Sequence, residues 1–307
     1  MVVLGLALTT AAVLGLIILF WRAPKAAPFA AYGCVGLCIV AIAEILLFLD
    51  ARWVSTFFTP ICWTGYILVM DAAVFRVRGR SLLRSEPQAF VWMAVLSVFL
   101  WLIFEAYNLE LHNWTYVGLP RNELVRYIGY GWSFATIWPG VLETTDFLLA
   151  TLFRERGPAP DPPEPHKPTL AWILLGLLMV AFPLVAPFYM QAYLFALVWL
   201  GFIAIADPLN YRARRPSLWG DLAQGYRARL WALLLAGFLC GILWEFWNYW
   251  ASAKWLYIFP ILPILEDYRL FEMPVLGYLG FPAFALEIFA MYVFAVSALK
   301  LEFYEVK

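Results

Sequence analysis

Four glutamates, Glu105, Glu143, Glu245 and Glu287, sit inside long apolar stretches of the chain. A charged side chain at the centre of a bilayer costs about 2.5–3.5 kcal/mol on insertion scales, so each needs a partner, water or a function. Glu105 and Glu245 each open an E-x-x-N frame, completed by Asn108 and Asn248. A spacing of three residues puts both polar groups on one face of a helix. Two readings follow: the Asn holds the carboxylate in a helix-end device, or both groups face a ligand. Each frame is followed by Trp-x-Tyr, Trp114/Tyr116 and Trp255/Tyr257, whose rings are candidates to bind an apolar substrate. Glu143 lies ~22 Å and Glu287 ~20 Å along their helices from the outer end, at 1.5 Å per residue, near or beyond mid-membrane. Carboxyls so placed can serve as general acids and bases. Thr144, Thr145 and Asp146 follow Glu143 and make that span the most polar one, so it must face the bundle interior or a wet cavity.

The elements that must carry these residues are membrane helices. The chain has 307 residues, 64% hydrophobic and 14% charged. Its mean hydropathy is +0.78. Soluble domains are about half apolar and a quarter charged. Aromatic residues make up 19%, including 16 Trp, the type that gathers at bilayer interfaces. A spanning helix needs about 20 mostly apolar residues. Nine stretches qualify: 2–21, 27–49, 53–75, 89–107, 128–152, 169–187, 189–208, 229–250 and 274–299. The predicted fold is therefore an all-α polytopic membrane protein. With that alternation, 16 of the 21 Lys and Arg fall on one side and 5 on the other. Positive residues stay inside, which puts the N-terminus outside and the C-terminus in the cytoplasm, in a membrane such as the bacterial inner membrane.

The chain also resembles itself. WTGYILVMDAAVFRVRGRSLL from Trp63 matches WLGFIAIADPLNYRARRPSLW from Trp199, with Asp71 aligned to Asp207. FLWLIFEAYN and FLCGILWEFWN then bring Glu105 opposite Glu245, and prolines follow at Pro120 and Pro260. Pro139/Glu143 and Pro282/Glu287 make a looser third match. The expected organisation is an extra N-terminal helix (1–26), a first four-helix repeat (27–156), a Pro-rich cytoplasmic linker (157–168) with six prolines, and a second repeat (169–307). An even number of helices per repeat gives both halves the same orientation. Asp71 and Asp207, just before arginine clusters, are expected to pair with them.

Composition excludes several classes. No Walker loop, GxGxxG, HExxH or GxSxG is present, so no cofactor is expected. The two histidines, His112 and His166, fall in loops, which leaves no helical haem ligands, and the four cysteines lie in apolar runs without a CxxC pair. A net charge of zero gives no footprint for nucleic acid. Membrane lipid and a small apolar substrate are the expected partners. The functions in view are an enzyme acting on a lipid or isoprenoid with Glu105, Glu143, Glu245 and Glu287 as acids and bases, a proton- or cation-coupled transporter, and a structural subunit or assembly factor. Duplicated helical units with a proline ahead of acidic residues are similar to those of membrane-type bacterial lycopene cyclases. The stretch here, Phe281 to Glu287, lacks the paired acid of that pattern, and no family is assigned from it.

Overall fold

A computed structural model of the chain describes residues 1–154, 169–191, 193–258 and 268–301. The expected linker at 157–168 and Pro260 lie outside these residues. The first part of the chain forms α1 (Val2–Arg22), α2 (Ala31–Phe48), a short α3 (Arg52–Thr56), α4 (Phe58–Arg78), a short α5 (Leu82–Ser85) and α6 (Pro87–Leu111). Strand β1 (Trp114–Val117), α7 (Glu123–Ala135) and α8 (Ile137–Thr151) follow. The second part forms α9 (Thr169–Val185), a short α10 (Phe188–Gln191), α11 (Phe195–Arg212), a short α12 (Leu218–Ala223) and α13 (Ala228–Trp250). It ends in β2 (Lys254–Tyr257), β3 (Arg269–Leu270), β4 (Met273–Pro274), a 3₁₀ turn (Val275–Leu279) and α14 (Gly280–Leu299).

Among the described residues, six helical stretches are long and apolar enough to cross a membrane: α1, α2, α4, α6, α13 and Val275–Leu299. The protein is therefore nearly all-α and membrane-embedded. α1 and α2 turn large apolar residues such as Val3, Ile42 and Phe48 outward. Water would not tolerate that surface, and lipid covers it. The predicted spans at 128–152, 169–187 and 189–208 are not among the six. The first of these is broken at Thr136 into α7 and α8. Pro139 explains the break: it has no N–H for the carbonyl four residues back, and its ring crowds that carbonyl. The second is short, with Leu170–Val185 its apolar part. The third divides into α10 and α11, and α11 carries Asp207 and Arg212.

Helix pairs meet through small residues. α2 crosses α4 where a Cβ added to Gly36 would stand 2.5 Å from the Gly65 carbonyl oxygen. α9 crosses α11 where a Cβ on Gly176 would stand 2.7 Å from the Gly201 carbonyl oxygen. Without a hydrophobic drive between helices in lipid, such close backbone approach supplies the packing. α4 also packs on α8, and α11 on α14, around a core rich in aromatic rings.

Two acids serve these connections differently from the arginine pairing expected. Asp71 accepts from Ser81 Oγ at 2.8 Å, from the Leu83 N–H at 2.8 Å and from Tyr32 Oη at 2.5 Å. Asp207 accepts from the N–H groups of Leu218 at 2.7 Å and Trp219 at 2.8 Å. Each aspartate thus caps the short helix that follows its own, because the first N–H groups of a helix have no intrahelical acceptor.

Candidate functional site

The C-terminal ends of α6 and α13 build the site, and the E-x-x-N frames do the positioning. Asn108 Nδ2 donates to the Trp114 carbonyl at 2.9 Å, and its Oδ1 accepts from the N–H groups of Asn113 at 2.8 Å and Trp114 at 3.0 Å. Asn248 repeats this geometry: Nδ2 to the Trp255 carbonyl at 2.9 Å, and the Trp255 N–H to Oδ1 at 3.0 Å. Each Asn therefore ties the end of its helix to the strand that follows. The strands β1 and β2 pair antiparallel, with Trp114 opposite Tyr257, Thr115 opposite Leu256, Tyr116 opposite Trp255 and Val117 opposite Lys254. Exchanging the strands leaves this register unchanged around the central Thr115–Leu256 pair. Gly118 ends β1 with φ +67°, and a Cβ there would meet the Ser252 carbonyl oxygen at 2.0 Å, so only glycine fits.

The glutamates sit one layer behind the ribbon's aromatic rings. Glu105 Oε1 accepts from Tyr116 Oη at 2.5 Å, Trp101 Nε1 at 2.8 Å and Trp114 Nε1 at 3.3 Å. Glu245, fully buried, accepts from Tyr257 Oη at 2.7 Å, and Trp255 Nε1 donates to that same phenol oxygen at 2.9 Å. Burial, and then the adjacent carboxyl, pushes the Tyr116 and Tyr257 hydroxyls well above the usual tyrosine range, so both keep their protons and donate.

Below the ribbon lies a cavity in which the centres of water-sized molecules have about 130 Å³. One water needs about 10–15 Å³ on that measure, so the space exceeds that of a single solvent molecule. The ribbon residues Trp114, Tyr116, Trp255 and Tyr257 line it together with Trp101, Trp244, Phe284 and Trp199. The rings support one another: Trp101 packs on Trp114 at 5.9 Å, and Trp244 on Trp255 at 5.5 Å between centroids. α7 contributes Gly129, Tyr130, Ser133 and Arg126, and β2 adds Lys254.

The residues singled out from sequence separate into groups. Trp114, Trp255, Tyr116 and Tyr257 border the cavity, whereas Glu105, Glu245, Asn108 and Asn248 do not and are hydrogen-bonded to these four. Glu143 and Glu287 do not border it either. Glu143 is buried on α8, and neither of its carboxyl oxygens has a hydrogen-bond partner among the described residues. Its neighbour Asp146 is ion-paired with Arg78 from the end of α4, a basic partner that span lengths alone had not brought within reach. Glu287 is buried on α14, and its oxygens have no hydrogen-bond donor among the described residues. The Asn-Trp-Thr triplet at 113–115 is poorly placed for glycosylation, because Asn113 is buried and its Nδ2 donates to the Leu111 carbonyl at 3.0 Å. Trp101, Trp244, Tyr130 and Arg126 were missed. Trp101 had a signal, standing four residues before Glu105 on the same helix face. Arg126 and Tyr130 had none, because the helix break that brings α7 over the cavity is not written in the apolar pattern. No protein family, curated protein or solved structure matches the chain.

Proposed function

We propose that the protein takes an apolar molecule of the lipid or isoprenoid class into the ribbon-covered cavity and acts on it as a membrane-embedded enzyme. One observation carries this reading: a cavity walled by aromatic rings, in which two wall tyrosines each donate to a buried glutamate. Apolar walls with a few convergent polar groups are the usual form of a small-molecule site. The chemistry the pairs allow is proton abstraction. The Tyr116 or Tyr257 oxygen takes a proton from the bound molecule while its own passes to Glu105 or Glu245. The tyrosines are then the groups that touch substrate, and the glutamates are positioning residues that act through them.

The reading includes an architecture of nine spans in two same-orientation four-helix repeats, with the N-terminus outside and the ribbon at the outer face. Its support is the recurrence of the aspartate caps, the Gly–Gly crossings, the Asn anchors and a strand register unchanged by exchange. The bacterial inner membrane is its proposed home. Comparing lipid and pigment extracts from cells with and without the gene tests the enzyme reading. Accumulation of one apolar compound with loss of another is expected. Identical extracts, together with an unchanged phenotype for Tyr116→Phe/Tyr257→Phe, would overturn it.

A further inference from the structure

The charge at the cavity narrows what it holds. Among the described residues its lining includes two cations, Arg126 and Lys254, and no aspartate or glutamate. Lys254 is already engaged: Nζ donates to Glu272 Oε1 at 2.6 Å and to the Tyr249 carbonyl at 3.1 Å. Arg126 is held loosely. Its ion pair with Glu123 spans 3.5 Å, and the Glu123 side chain is 76% exposed, so water already solvates that carboxylate. Glu105 and Glu245 do not present their oxygens to the cavity, because the rings that donate to them stand between. A guanidinium thus borders an aromatic chamber with most of its donors uncommitted among the described residues. Its planar fork matches a carboxylate or a phosphate.

We propose that the occupant is an apolar single chain ending in a carboxylate, with the head group on Arg126 and the chain among the rings. This rests on the cavity reading above and adds the head group to it. The choice of carboxylate follows from charge. With Lys254 offset by Glu272, the described lining offers one net positive charge, which a monoanion balances. A phosphate monoester carries about −1.5 to −2 near pH 7 and would bring uncompensated charge into an apolar space.

The test uses cis-parinaric acid, its alcohol and its phosphate ester, added to purified protein in detergent. The cavity is bordered by six tryptophans, Trp63, Trp101, Trp114, Trp199, Trp244 and Trp255, so binding quenches their emission by transfer to the polyene. The acid should bind roughly 10-fold or more tighter than the alcohol, the scale of a charge-assisted hydrogen bond. Arg126→Gln should erase that preference while leaving alcohol binding intact, which also reports a folded cavity. Arg126→Lys should retain part of it, and Lys254→Gln most of it. Equal affinity of wild type for acid and alcohol, a tighter phosphate ester, or a preference that survives Arg126→Gln would each overturn the proposal while the cavity reading stands. Failure of all three ligands to bind wild type saturably would instead overturn the cavity reading itself.

Discussion

Replacing Asn248 by alanine removes the anchor between α13 and the ribbon without touching the cavity wall. The side chain is fully buried and makes two hydrogen bonds to Trp255, one to its carbonyl at 2.9 Å and one from its N–H at 3.0 Å. A net hydrogen bond contributes about 0.5–1.5 kcal/mol, and a buried polar group left without a partner costs about 1–3 kcal/mol. The Trp255 N–H and carbonyl can recover part of this from water, which puts the expected loss at about 2–4 kcal/mol. In a chain of this size that corresponds to a fall in Tm of about 4–10 °C. Asn108→Ala should cost at least as much, because Asn108 makes a third bond, from the Asn113 N–H at 2.8 Å. Thermal unfolding of the detergent-solubilised variants, followed by loss of the monodisperse chromatographic peak, measures both. Asn248→Asp keeps the acceptor and loses the donor, so it should fall between alanine and wild type. A Tm change below about 1 °C for Asn248→Ala would show that the ribbon is held by something else, and the anchoring argument would fail.

Four further outcomes follow from the same geometry. Gly36→Val and Gly176→Val should each lower yield and stability, by roughly 1–3 kcal/mol, since each added side chain meets a carbonyl oxygen that cannot move aside; Val tolerated at both sites would refute the crossing argument. Gly118→Ala should destabilise the ribbon by more than a routine surface change, read by faster proteolysis after β1. Above pH ~10 the unfolded chain loses tyrosine protons that folded Tyr116 and Tyr257 keep, so stability should fall as pH rises; Tyr116→Phe/Tyr257→Phe should flatten that fall in a pH series of melts. Single cysteines at positions 80 and 215 should resist labelling from outside intact cells, and those at 114 and 255 should react when the ribbon is opened by Asn248→Ala. Labelling at 80 or 215 would reverse the proposed orientation.

The legible parts of this chain were those governed by periodicity and by cost. Long apolar stretches announced α1, α2, α4, α6 and α13, and the expense of burying Glu105 and Glu245 drew attention to the helix ends that carry the ribbon. The E-x-x-N spacing was read correctly as one face, but not as a clamp on the strand that follows, because a strand of four residues leaves little trace in an apolar loop. Asp71 and Asp207 were judged by their arginine neighbours in sequence. Their partners are backbone N–H groups 11 or 12 residues away and the Ser81 hydroxyl, contacts set by how the chain turns back. Pro139 was noted, yet its effect depends on its place. At the third position of α8 it splits the span and lays α7 over the cavity, and that is what brings Arg126 and Tyr130 to the site.

The central claim is that the cavity beneath the ribbon holds an apolar molecule. Mass spectrometry of organic extracts from purified protein tests it most directly, with wild type set beside Ser133→Trp, a substitution at a lining position that fills the space. The account predicts one apolar compound retained near equimolar with wild type and lost from Ser133→Trp, with both proteins equally folded. Equal retention by the two proteins, or none by either, would contradict it.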